Sequence, residues 1–165
     1  MRKPLIVLTP KSLLRHARCV SPLEALERGG FEPVLGDQAP DPQAVRRIVL
    51  ASGKLYYDLL EAREAGGTGS VALIRLEQLY PFPAQALARA LEPFPPDAEL
   101  VWAQEEPRNQ GAWQYIRGCS MDGMMGDPRR LPVYAGRPAT AATATGSHRA
   151  HIQEQARVVR EALGG

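Results

Sequence analysis

Cysteine is scarce in this chain. Only Cys19 and Cys119 occur in 165 residues, and they form no CxxC. A disulfide framework or a structural zinc site is therefore not expected, and a reducing cytoplasm fits. Charge of one sign is also lacking: 20 basic against 18 acidic residues leave a net +2. That balance argues against nucleic acid or a membrane surface as partner. No apolar run is long enough to span a bilayer. The opening MRKPLIVLTPK has a basic start, but its apolar run, Leu5-Ile6-Val7-Leu8, stops at Thr9-Pro10. It lacks a small-residue cleavage site, so no signal peptide is expected. There is no GxGxxG, and Ser52-Gly53-Lys54 lacks both the upstream glycine and the following Ser or Thr of a phosphate loop.

What remains is an ordinary globular composition, 44% hydrophobic and 23% charged, of one-domain length. Short apolar runs at 4–8, 48–51, 71–76, 100–104 and 132–135 predict buried strands, with a further short strand at 31–35. Between them lie helical patterns. Ser21-Pro22 with Glu24 opens one that Gly29-Gly30 ends. Others are predicted over 55–65, 84–91, 111–119 and 147–163. Alternation of this kind predicts an α/β fold: a mostly parallel, doubly wound sheet of about five strands flanked by helices. Sites in such sheets lie outside the carboxyl ends of the strands. That singles out loops 9–15, 52–54, 77–83, 104–113 and 135–146.

Loop 104–113 reads QEEPRNQGAW, with Pro107 expected to break the strand. Glu105 and Glu106 are neighbours on a strand end, so they point to opposite faces and do not converge as an acid/base pair. One carboxylate holding a loop and one facing solvent or a partner is the expected arrangement. His148 and His151 could share a helix face, but no further metal ligand accompanies them. The run 139–146, rich in Ala and Thr, follows Arg137-Pro138. It fits a tightly packed crossing, or alternatively a hydroxyl-lined loop beside an arginine suited to an anion. No nucleophile, base and orienting group stand out together.

Five stretches carry a resemblance. They are the opening PLIVLTPKSLLR, then SGKLYYDLL from Ser52, RLEQLYPFP from Arg75, the segment from Gln104 to Trp113, and YAGRPA from Tyr134. In this order they resemble the C-terminal domain of the E1 component of 2-oxoglutarate dehydrogenase. The match runs across nearly the whole chain, with 17–50 and 116–131 the weaker parts. The resemblance implies a single transketolase-type C-terminal domain over 1–165. It also implies membership of a homodimeric, thiamine-diphosphate-dependent oxidoreductase of the tricarboxylic acid cycle. That enzyme decarboxylates 2-oxoglutarate and passes succinyl to the lipoyl arm of the E2 succinyltransferase.

The family holds its Mg-diphosphate with a GDG followed downstream by asparagine. Here Gly126-Asp127 precedes Pro128, and the only asparagine, Asn109, lies upstream. Thiamine diphosphate and Mg therefore belong to the full enzyme, and the isolated chain is expected to bind neither and to be inert. The remaining E1 domains and a second E1 subunit are the implied partners. Glu105, Glu106, Asn109, Gln110 and Trp113 would be interface residues or would support residues at the interface. The alternative is a regulatory module binding acetyl-CoA or a nucleotide, as some actinobacterial relatives do on this domain. Thr9, Arg15 and Gln78 match their contact positions, and Arg137 could add charge. The basic residues of those relatives fall at Gly30, Gln85 and Ala86 here.

Overall fold

The computed structural model describes residues 3, 4, 6–37, 41–67, 69–127 and 130–165. The chain divides into two compact units, Met1–Phe31 and Glu32–Gly165. The first unit holds a 3-10 segment, Lys11–Arg15, and a short helix α1, Leu23–Glu27. Pro22, not Ser21, stands at the N-cap of α1, with no side-chain cap bond.

The run expected as a buried strand at 4–8 is not one. Leu5 lies outside the described residues, and Ile6, Val7 and Leu8 are exposed and unpaired with any strand. An apolar run becomes a strand only where a partner strand takes up its backbone groups, and among the described residues the first unit offers none. The edge position beside β3 belongs to a segment of the second unit.

That segment is β1, Val34–Leu35, shorter than the expected 31–35. It runs antiparallel to β3, Val71–Leu76. The other strands are β2 at Arg47–Ala51, β4 at Glu99–Pro107 and β5 at Val133–Arg137. The sheet order is β1-β3-β2-β4-β5, with every pairing parallel except the first. The five-stranded, mostly parallel α/β fold is thus present, with β1 and not 4–8 as its first strand.

Period-two alternation sorts the strands' side chains onto two faces. Ile48, Leu50, Ala72, Ile74, Leu100 and Trp102 face one way. They pack on α3, Ala84–Leu91, through Leu87 and on α4, Trp113–Met121, through Ile116. Val49, Ala51, Leu73, Val101 and Ala103 face the other way. They meet α2, Leu55–Gly66, through Leu55 and Leu59, and α5, His148–Leu163, through Val158 and Ala162. Ser147 caps α5, its hydroxyl accepting from the Ala150 amide. Burial on both faces explains the near-continuous apolar strands. An ion pair of Arg63 with Asp37, whose carboxylate also accepts from the Leu73 amide, ties α2 and the segment after β1 to β3.

From β2 the chain moves outward to β3, then returns past β2 to β4. The direction of winding reverses between β2 and β4, the point at whose carboxyl ends doubly wound sheets usually place a crevice.

Candidate functional site: the carboxyl edge of the sheet

β4 runs through Pro107, past the break expected there. β2 ends at Ala51 opposite Ala103, so beyond that point β4 pairs on one side only. The register with β5 slips between Ala103 and Pro107, and Pro107 pairs with Arg137. A bulge on a strand open on one side is where proline is tolerated.

Gln104 organises the loop that follows. It is buried, and its amide group is engaged on every side. Oε1 accepts from Trp102 Nε1 at 2.8 Å and from the Trp113 amide at 2.9 Å. Nε2 donates to the carbonyls of Gln110 at 2.8 Å and of Glu106 and Pro107 at 3.2 Å each. These bonds join the strand end to the first residue of α4. α4 begins at Trp113, not at 111, because Gly111 has φ +65°. A Cβ at Gly111 would also lie 2.9 Å from Gln104 Nε2. Only glycine fits both demands.

Trp113 is buried, with its ring centroid 5.1 Å from that of Tyr134. The Arg108 guanidinium lies over both rings, 5.8 Å and 5.3 Å from their centroids. The Tyr134 hydroxyl reaches the Arg137 carbonyl at 2.8 Å and the Glu106 carbonyl at 3.1 Å. Burial raises the Tyr134 pKa above the ordinary tyrosine value.

Loop 138–146 is tied to this platform. Asn109 accepts from the Thr140 amide at 3.0 Å and donates to its carbonyl at 3.1 Å. Gln110 donates to the same carbonyl at 3.3 Å. Arg137 Nη1 donates to the Thr143 carbonyl at 3.2 Å. Its Nε lies 2.8 Å from Glu154 Oε2, off the line of a hydrogen bond, so that contact is an ion pair. Glu154 also accepts from the Thr145 hydroxyl at 2.8 Å. That hydrogen bond, with the Arg137 charge, holds the Glu154 pKa below the ordinary glutamate value. Just past the carboxyl end of β2 and within that of β4, Lys54 forms an ion pair with Glu105. Glu106 is exposed.

A cleft of about 200 Å³ opens here, lined by Glu105, Glu106, Arg137, Thr145, His151 and Glu154 among others. Its walls carry three carboxylates. Arg137, the cation of its lining, is already matched to Glu154, and Glu105 to Lys54. Such a lining positions loops and can receive a partner's polar groups. It offers no nucleophile beside a base. Among the described residues no cluster of three or more His, Cys, Asp or Glu could hold a metal.

The structure therefore brings Glu105, Glu106, Asn109, Gln110, Trp113 and Arg137 to one edge. Thr9 and Arg15 are exposed residues of the first unit. Gln78 lies just past the end of β3, its amide donating to the Pro81 carbonyl at 2.8 Å. β2 and β4 separate β3 from β5, so Gln78 and Arg137 stand roughly 14 Å apart across the sheet at the usual strand spacing. Sequence reasoning had not weighed Gln104, Tyr134 or the Lys54 partnership. The signal for Gln104 was legible: an amide closing the apolar run Leu100-Val101-Trp102-Ala103.

The architecture is that of a transketolase-like C-terminal α/β domain. A split-gene transketolase, solved as an inactive β4 tetramer, superposes with a TM-score of 0.54 at 18% identity. It covers 81% of this chain and 42% of its own. The family described as 2-oxoglutarate dehydrogenase C-terminal matches residues 20–163, and the chain belongs to that family. The 2-oxoglutarate dehydrogenase E1 component of Haemophilus influenzae is 48% identical over 164 residues, 99% of this chain and 17% of its own length. That of Cupriavidus necator is 45% identical over 98% of this chain and 17% of its own length. Azotobacter vinelandii E1 is 46% identical over 99% of this chain and 18% of its own. The chain thus spans about a sixth of these relatives' length.

Proposed function

We propose that this chain works as the non-catalytic C-terminal domain of a 2-oxoglutarate dehydrogenase E1 component. In that setting it supports the catalytic domains and the interface between two E1 subunits. The enzyme so built decarboxylates 2-oxoglutarate and hands succinyl to a lipoyl group on the E2 component. Thiamine diphosphate and Mg sit on the other E1 domains. The observation that carries this reading is the family match over 20–163 in a chain that aligns with only 17% of its E1 relatives.

The carboxyl edge supports the same reading. Its polar side chains hold two loops in fixed positions, presenting a shaped surface with Glu106 outward. Thiamine diphosphate does not fit the residues present: both amide atoms of the only asparagine, Asn109, are bound to Thr140. A hard cation would need such oxygens free. The free thiols of Cys19 and Cys119 suit a reducing cytoplasm.

Replacing the C-terminal segment of the Haemophilus influenzae E1 component by this chain tests the proposal. The chimera should dimerise and turn over 2-oxoglutarate with thiamine diphosphate and Mg, while the isolated chain should not. A folded, inactive, monomeric chimera would count against the proposal, as would turnover by the isolated chain.

A further inference from the structure

Sulfur-bearing residues crowd the end of α4, at the opposite end of that helix from Trp113. Cys119, Met121, Met124 and Met125 follow closely on one another, and Met1 is the only other methionine in the chain. The backbone there forms a closed motif. Gly123 has φ +74°, and its amide donates to the Ser120 carbonyl at 3.0 Å. The Met124 amide donates to the Cys119 carbonyl at 2.9 Å. These two bonds are the Schellman pattern that ends a helix, in which the residue after the left-handed glycine usually rests its side chain on the last turn. Met124 holds that position and is 46% exposed. Met121, on the last turn itself, is 57% exposed. Cys119 and Met125 are buried, and Met125 belongs to the core cluster of Trp113 and Ile116. Two of the sulfur side chains therefore reach solvent and two lie beneath them.

We propose that this turn is a site of reversible oxidation: hydrogen peroxide converts Met121 and Met124 to sulfoxides, and the change at Met124 uncovers Met125. In each step a thioether lone pair takes one peroxide oxygen as the O–O bond breaks. The proton of the transferred hydroxyl passes to the departing hydroxide, which leaves as water. Sulfur undergoes a two-electron oxidation and the peroxide is reduced. A dithiol-dependent methionine sulfoxide reductase reverses the step, giving thioether, disulfide and water. A sulfoxide is polar, so on Met124 it no longer suits the apolar side of the last turn. The turn then opens more often, and reaction at a buried group such as Met125 depends on local opening.

Timed exposure of the chain to hydrogen peroxide, followed by peptide mapping in a mass spectrometer, reads each methionine separately. Met121 and Met124 should gain oxygen roughly tenfold or more faster than Met125, and the three rates should converge in denaturing urea. Met125 should show a lag and then quicken several-fold once Met124 is oxidised. In Met124→Leu, which keeps an apolar cover that cannot take oxygen, Met125 should stay slow throughout. The two reductases that act on the two sulfoxide epimers should return Met121 and Met124 to thioethers. Equal rates for the three methionines in the folded chain would overturn the site. A Met125 rate without a lag, and the same in Met124→Leu as in wild type, would overturn the uncovering. Should the leucine variant fail to fold, the lag in the wild-type chain decides that point by itself. Sulfoxides at 121 and 124 that resist both reductases would overturn the reversibility.

Discussion

Replacing Gln104 by leucine should destabilise the 32–165 unit far more than a change of similar volume ordinarily does. Two buried donors lose their acceptor: the Trp102 indole N–H, bonded at 2.8 Å, and the Trp113 amide, bonded at 2.9 Å. Trp102 is 1% exposed and Trp113 4%, so water does not readily replace the lost oxygen. Each buried group left unsatisfied costs about 1–3 kcal/mol. The carbonyls of Glu106, Pro107 and Gln110 lose a donor as well, but Glu106 and Gln110 lie where solvent can reach them. Leucine recovers roughly 1 kcal/mol through its apolar surface. The net loss is on the order of 3 kcal/mol, or a fall in Tm of about 6–12 °C for a chain of this size. Urea unfolding followed by tryptophan fluorescence measures it, because Trp102 and Trp113 both flank the amide. Gln104→Glu supplies the control. It keeps the volume but turns a donor into a charged acceptor facing carbonyls, so it should be worse at pH 7 than at pH 5, where protonation restores a donor. If Gln104→Leu lies within about 0.5 kcal/mol of wild type, the size expected of an ordinary surface change, the amide is not the organising element.

Gly136→Ala should cost about 1–3 kcal/mol in the same assay, since its Cβ would stand 2.4 Å from the Tyr134 hydroxyl and 2.9 Å from the Gln104 carbonyl; an unchanged urea midpoint refutes the packing. Glu154 has a depressed folded pKa, so its contribution is full above the ordinary glutamate pKa of about 4.3 and lost as pH falls through the lower folded value. Glu154→Gln should therefore flatten the acid limb of the stability profile below about pH 5, and an unaltered acid limb contradicts it. Acetyl-CoA should bind the isolated chain weakly or not at all in calorimetry at low salt, because Gly30, Gln85 and Ala86 offer no charge to a polyanion. Micromolar binding abolished by Arg15→Ala would reverse that expectation.

The winding of the sheet was legible because it rests on local pattern. Runs such as Ile48-Val49-Leu50-Ala51 are apolar on both faces, and only a strand between two helical layers needs that. The same rule misread 4–8, since apolarity alone does not supply the partner strand that pairing needs. Pro107 misled for a related reason. It removes a donor, which is disruptive inside a sheet and harmless where β4 has outrun β2. The ties that shape the edge were beyond local reading. Lys54 and Glu105 are 51 residues apart, and Asn109 and Thr140 are 31 apart. No periodicity encodes which distant groups will meet.

The placement of these ties bears on what the edge can do. In a doubly wound sheet the crevice at the point of reversal is where ligands usually settle, held by loose loops and uncommitted polar groups. Here that point of reversal is bridged by the Lys54–Glu105 pair, and the neighbouring loop is fastened through Asn109, Gln110 and Arg137. A ligand entering would have to displace charge-assisted contacts before making its own. Rigid loops suit a different task. A surface that must match a neighbour binds more tightly when its loops need no ordering on contact. Releasing one tie should therefore weaken association more than folding. Asn109→Ala frees loop 138–146 from one side while leaving the core and the Gln104 amide intact. In the chimera it should raise the dimer dissociation constant by several-fold and shift the isolated chain's urea midpoint little. A larger effect on unfolding than on dimerisation would mean that the loop serves the fold of this domain and not its interface.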